Sequence, residues 1–239
     1  TNNRFSNDTL NNSTKQLENK CFEGDVSEFI SYFDSLELIS GKVGGSNGKA
    51  GIVTNGAKSY LCNAKGFEYA QLIDKGLMGA VFYYQVSETY LSDTKIGDDV
   101  DNVIVKEGKG TDKEHHFDEA FGYFGIPTDF PANTEDGRFW GKYCNKRDGL
   151  METNKIMDSW KKGRWAISNN DKSALDNAIK QIKLEWEKVS VGCALHYLNA
   201  AIDHIEDDAL RNHELSEAVA FIKALKYNSN AIITNTERQ

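Results

Sequence analysis

Residues Glu114 to Tyr123 read Glu-His-His-Phe-Asp-Glu-Ala-Phe-Gly-Tyr, and they hold two of the chain's 5 histidines and three acids within six positions. In a helix, side chains four apart stand above one another on a single face. His115 and Glu119 therefore project together, flanked by His116 and Asp118. A histidine and a carboxylate one turn apart can chelate a divalent cation or move a proton. The same spacing recurs in His213-Glu214-Leu215-Ser216-Glu217. Facing helices of a bundle build interior sites from such pairs, so the expectation is one metal site with His115, Glu119, His213 and Glu217 as ligands. Its cofactor would be a divalent metal ion or iron, and in a catalytic version Glu119 or Glu217 would be the general base. The structural alternative is two helix N-termini whose acids favour the positive end of the dipole.

Several sharper chemistries are excluded. His213-Glu214-x-x-Glu217 lacks the second histidine that a zinc protease requires. None of the five histidines has a glutamate three residues before it, as ferritin-type di-iron sites need. His115 or His116 could serve haem as an axial ligand, but the chain has no haem-attachment motif. The acids Asp93, Asp98, Asp99 and Asp101 do not complete a calcium loop. The five glycines between Gly41 and Gly51 lack the Gly-Lys-Ser/Thr ending of a phosphate loop. His196 falls on an apolar stripe and reads as a core histidine, whereas His204 sits beside Glu206, Asp207 and Asp208 and reads as exposed.

The elements that must position these residues are helices. Phe29, Ile30, Phe33, Leu36 and Leu38 give a short amphipathic helix. Tyr69, Ile73, Gly76, Ala80 and Tyr83 recur at alternating four and three within a long helix over about 63–91. Its glycines, Gly76 and Gly79, would admit a close neighbour, and any acid buried on it, Glu68 or Asp74, would need a partner. Thr111 and Asp112 supply cap chemistry for a helix over the central motif, ending near Gly122 to Gly125. Two modest helices follow over about 138–147 and 151–168. The longest element runs from Ser173 to Ile205, with one stripe of Leu175, Ile179, Ile182, Trp186, Val189 and Cys193. A second stripe, Val191, Leu195, Leu198, Ile202 and Ile205, would carry it into the core. A last helix over 209–227 would turn Leu215, Val219, Ile222 and Leu225 inward. Ile52-Val53 and Tyr60-Leu61 leave room for one small hairpin. The fold expected is all-α, a helical bundle with long helices, irregular loops and little or no β-structure.

Residues 1–20 are rich in Asn, Ser and Thr and read as a solvated arm, with Asn-x-Ser/Thr acceptors at Asn7, Asn11 and Asn12. Residues 21–239 read as a single helical-bundle domain. A net charge of -8 and a pI near 5.2 disfavour a nucleic-acid partner, which wants a clustered basic face. No apolar run is long enough to span a bilayer. The start Thr1-Asn2-Asn3 reads as processed or trimmed. Cys21, Cys62, Cys144 and Cys193 form no Cys-x-x-Cys pair; two disulfides or four buried thiols are both open, with Cys193 favouring a buried thiol.

Taken in order, Asn63-Ala64-Lys65-Gly66-Phe67-Glu68-Tyr69, Glu107-Gly108-Lys109, Glu114 to Tyr123, His213 to Glu217 and Ala220-Phe221-Ile222 resemble a family of bacterial lipoproteins, the domain of unknown function 4856. The resemblance runs from about Phe5 to Tyr227 and marks Glu68, His115, Asp118, Glu119, His213 and Glu217, with His116 in support. More loosely, the chain is similar to imelysin-like proteins, helical surface or periplasmic proteins with a Gly-x-His-x-x-Glu motif. His116-x-x-Glu119 fits the second half of that motif, while position 114 is Glu rather than Gly. The resemblance implies an exported protein, periplasmic or anchored in the outer membrane by an N-terminal lipid that this chain does not carry. It would bind a metal ion, an iron chelate or haem within a membrane-surface uptake complex. The alternatives are an imelysin- or peptidase-like metal-assisted hydrolase and a non-catalytic interaction subunit of an outer-membrane complex.

Overall fold

The structure, a computed structural model, describes residues 8–234 and 236–237; the acceptor at Asn7 lies outside them. Two short helices, α1 (Asp8–Asn11) and α2 (Leu17–Lys20), lead into α3 (Val26–Ile39). The stretch after α2 is tied down, because Phe22 donates its N–H to Ala80 O at 2.9 Å and Gln85 donates its amide to Lys20 O at 2.8 Å. The glycine segment leads into an antiparallel hairpin of β1 (Gly51–Asn55) and β2 (Lys58–Cys62), paired from Gly51 with Cys62 to Asn55 with Lys58. Gly56, at φ +55°, makes the tight turn that a side chain would resist.

The long helix expected from residue 63 begins later, at α4 (Tyr69–Leu77), and then changes pitch. The Asn63 side chain accepts the N–H groups of Lys65 and Phe67, which holds residues 63–67 in a turn. After Leu77 the chain continues as two π-helical segments, Met78–Tyr83 and Gln85–Tyr90. Wider π turns leave carbonyls free for other donors, and the indole of Trp140 donates to Met78 O at 2.7 Å. Both glycines here serve close packing as expected. A Cβ on Gly76 would meet the Phe29 ring of α3 at 2.8 Å, and one on Gly79 would meet Ala224 at 2.8 Å.

After α5 (Asp93–Ile96) come α6 (Asp112–Phe124), α7 (Phe139–Met151), α8 (Ile156–Ser168), α9 (Lys172–Asp203) and α10 (Asp208–Ala224). The core is aromatic. Trp186 of α9, fully buried, stacks on Tyr83 at 5.0 Å and receives Phe124 edge-on at 4.6 Å and Trp140 at 5.8 Å. Trp160 of α8 packs with Phe117 and Phe121 of α6. The fold is the mostly helical bundle expected, with one two-stranded sheet among the described residues.

Two apolar stripes behave differently from their periodicity. On α9 the first stripe is buried apart from the half-buried Ile179, but Leu195, Ile202 and, past the helix end, Ile205 of the second are exposed, as is His196. Val191 and Leu198 of the same stripe are half-buried, so only part of it reaches the core. On α10, Leu215 is exposed and the inward residues are Glu214, Glu217, Ala218, Phe221 and Ala224. The helix is rotated toward its carboxylates because cations wait for them, as described below. All four cysteines are buried thiols and none is paired. Among the described residues no helix is long and apolar enough to cross a membrane.

Candidate functional site

The central motif sits on α6, whose start is fixed by a reciprocal cap. Thr111 Oγ1 accepts the Glu114 N–H at 3.2 Å, and Glu114 accepts the Thr111 N–H at 3.0 Å. Arg164 of α8 then clamps the helix, donating to Glu114 at 2.6 Å and to Asp118 at 3.0 Å. The Thr111 N–H, then Ser168 and Arg164, hold the Glu114 carboxyl down at about 2 against the opposing effect of its burial. His116 Nδ1 lies 2.7 Å from Lys95 O, which ties α6 to α5. Asp118, Glu114 and His116 therefore position the helix. Gly125, at φ +87°, closes its far end in the left-handed region.

The motif residues left over face solvent and a cavity. His115 Nε2 and Glu119 Oε1 are 3.8 Å apart on the half-exposed face of α6. Glu119 also lines a cavity of about 350 Å³ with Tyr90, Tyr123, Phe82, Phe139, Lys15 and Lys20. Tyr90 and Tyr123 meet at 5.3 Å between ring centres, Phe82 and Tyr123 at 5.7 Å, and Phe82 and Phe139 at 4.6 Å. Burial, then the neighbouring Tyr123 and Glu119, push the Tyr90 hydroxyl up to about 12, so at neutral pH it stays a proton donor. Lys15 and Lys20 have no carboxylate partner among the described residues. Aromatic faces, neutral hydroxyls and free ammonium groups around one cavity are the elements of an organic-anion site.

The second motif is built differently. Glu68, at the start of α4, is 6% exposed, and His213 Nδ1 donates to it at 2.7 Å. The Glu68 N–H in turn donates to Ser216 Oγ at 3.0 Å, which locks α4 onto α10. His213 Nε2 lies 3.7 Å from Glu217, which is 5% exposed, and Lys75 Nζ approaches the other Glu217 oxygen at 3.6 Å. Lys75 also pairs with the exposed Asp74 at 2.5 Å. The hairpin closes the cluster from outside, with Tyr60 stacked on the His213 ring at 4.4 Å. His204 bonds separately to Glu214 at 2.9 Å and is half-exposed. Two inward carboxylates, Glu68 and Glu217, thus face the His213 ring and the Lys75 ammonium. The periodicity of α4 had demanded a partner for a buried acid, and His213 is that partner for Glu68.

Burial pushes the His213 ring's affinity for protons down, but Glu68, by hydrogen bond and charge, then Glu217 and Glu214, outweigh it and leave the pKa above the ordinary 6.5. A raised folded value means that the protonated ring stabilises the fold. That contribution is complete below the unfolded pKa and lost as pH rises through the folded one. Urea unfolding from about pH 5.5 to about pH 9 is expected to show stability falling across this window, with a flatter profile in His213→Asn. An unchanged slope in the variant would assign the pH dependence to other groups.

The structure does not bring the two pairs to one point. α6 packs against α5, α8 and the π segments, whereas α10 packs chiefly against α9 and α4 and also meets the hairpin and the first π segment. No hydrogen bond, ion pair or ring contact among the described residues joins His115 or Glu119 to His213 or Glu217. Among those residues no three of His, Cys, Asp and Glu are arranged to hold a metal ion. The four-ligand site expected from the sequence separates into an open pair and a closed, charge-compensated one. Five cavity residues escaped the sequence reading. Lys15 and Lys20 fell within an arm read as solvated, Phe82 and Tyr90 within a segment read as regular helix, and Phe139 at a helix start. The only signal was the aromatic density of Phe82 to Tyr90 beside Gly76 and Gly79.

Compared with known proteins, residues 1–237 match the family described as Domain of unknown function (DUF4856). No curated protein and no solved structure matches the chain.

Proposed function

This chain belongs to the DUF4856 family, and from that premise and the geometry above we propose that it is a ligand-binding protein whose site is the cavity beside α6. The observation that carries the reading is the cavity of about 350 Å³ in which Lys15, Lys20, Tyr90, Tyr123 and Glu119 converge between aromatic rings. Its ligand is an organic anion. A metal ion would enter as a chelate already bearing most of its donors, because among the described residues the α6 face offers it His115 and Glu119, whose 3.8 Å separation one cation can bridge. A metal-assisted hydrolase needs about three protein donors and an open position, so the donor set favours binding over catalysis. The α4–α10 cluster, with Glu68, Lys75, His213 and Glu217, is the internal network that sets helix register and carries no ligand. Export, lipid attachment and service in a surface uptake complex extend the same proposal.

Calorimetric titration with benzoate and with ferric citrate tests it. Saturable binding of at least one of them is expected, weakened roughly tenfold in Lys20→Glu, the loss of about 1.4 kcal/mol of charge attraction. Absence of saturable binding of both, or binding indifferent to Lys20→Glu, contradicts the site.

A further inference from the structure

Two cavities share a wall. The organic-anion cavity is bounded by Phe82 and Phe139, and the same two rings bound a second cavity of about 400 Å³ between α3 and α4. That second cavity is apolar, lined by Phe33, Leu36, Ala70, Ile73, Leu77 and Met78, with Asp74 at its edge. Phe33 is 44% and Phe139 51% exposed, although both are large apolar side chains beside an apolar groove. Phe139 also holds φ +43°, a conformation that bulky residues avoid and that clusters at ligand clamps. Phe82 comes from the first π segment, and π turns are likewise frequent at functional positions. The rings of Phe82 and Phe139 meet edge to face at 4.6 Å, so a small rotation of the exposed Phe139 would join the two spaces.

We propose that the two cavities form one site for a single-chain fatty acid, its carboxylate head among Lys15, Lys20 and the Tyr90 hydroxyl and its hydrocarbon tail over Phe82 and Phe139 into the α3–α4 groove. This rests on the reading of the α6 cavity as an anion site and specifies its ligand class. Charge complementarity fixes the direction: the ammonium groups line one end only, and the groove at the other end offers side chains with nothing to pair with a charge beyond the edge carboxylate of Asp74. Glu119 lines the same end, but the two ammonium groups of Lys15 and Lys20 outnumber its one carboxylate, which is exposed to water. Burial of the tail would cover the exposed Phe33 and Phe139, and the effect grows with each methylene removed from water.

The test is titration of the full chain with dodecanoate below its micelle concentration, with butyrate, and with dodecyltrimethylammonium. Dodecanoate is expected to bind one per chain, on the order of a hundredfold tighter than butyrate, which corresponds to full burial of about three or four of its additional methylenes in the open groove. Ala70 is exposed on the groove rim, so Ala70→Trp fills the groove without entering the core; it should remove the chain-length dependence while leaving butyrate and benzoate binding and the thermal melt unchanged. Lys20→Glu should weaken dodecanoate roughly tenfold. Dodecanoate binding no tighter than butyrate or benzoate would overturn the fatty-acid site and leave the anion site standing. Failure of every anion would overturn both. Equal binding of dodecyltrimethylammonium would overturn the anionic head, and a dimer dispersed by Ala70→Trp would assign the groove to a second copy instead.

Discussion

Replacing Glu217 by alanine is expected to lower the unfolding free energy by about 3 kcal/mol, the lower end of the cost of breaking a buried ion pair, because Lys75 keeps Asp74 and His213 keeps Glu68. Glu217 is 5% exposed, faces His213 at 3.7 Å and Lys75 at 3.6 Å, and Lys75 is itself 13% exposed at its side chain. Tyr197 adds to the demand for a partner: burial, then the Glu217 charge, then Tyr143 raise its pKa, and its hydroxyl bonds with Glu217 and Tyr143. Removing the carboxylate takes away the buried group that Lys75 and His213 share, leaving Lys75 with the exposed Asp74 and His213 with Glu68. The double replacement Lys75→Met, Glu217→Leu should recover much of the loss, because deleting both partners of a buried pair avoids the uncompensated charge. Denaturant unfolding of the two variants checks this. A loss below about 1 kcal/mol for Glu217→Ala would show that the cluster is solvated and open, as a ligand site would be.

A second large effect is expected at Trp186. Its side chain is fully buried and touches the π segment through Tyr83, α6 through Phe124 and α7 through Trp140. Truncation to alanine removes the common neighbour of three elements, and Trp186→Ala should cost about 3–5 kcal/mol in transfer and cavity terms. The same unfolding experiment reads it. Because α6 and the π segment both carry cavity residues, ligand affinity should fall with stability in this variant. In Glu217→Ala, where the damage lies between α4 and α10, affinity for the α6 cavity should persist in the folded fraction. A Trp186→Ala protein as stable as the parent would mean that the aromatic core does not join these elements.

Much of the fold was legible because periodicity and capping are local. Thr111 and Asp112 announced the start of α6, and Leu175 through Cys193 announced the buried face of α9. Periodicity failed where burial depends on what lies opposite. Leu195 and Ile202 match the helical repeat as well as Ile182 and Val189 do, yet they are exposed. Glu214 and Glu217 break the apolar pattern of α10 yet point inward, because His204 in one case and His213 with Lys75 in the other supply polar partners that an apolar repeat does not announce. Spacing found both His/Glu pairs but could not say whether they face one another, since which faces of α6 and α10 meet is a property of the whole bundle. The π segments carry no spacing signal, so Phe82 and Tyr90 went unnoticed as cavity residues.

The division of labour between an open α6 cavity and a closed α4–α10 cluster is tested most directly by a crystal structure of the protein grown with benzoate. The account predicts density for the carboxylate near Lys20 and Tyr90 in the α6 cavity, with the Glu68–His213 hydrogen bond intact at about 2.7 Å. Density between His213 and Glu217, with Lys75 displaced, would contradict it.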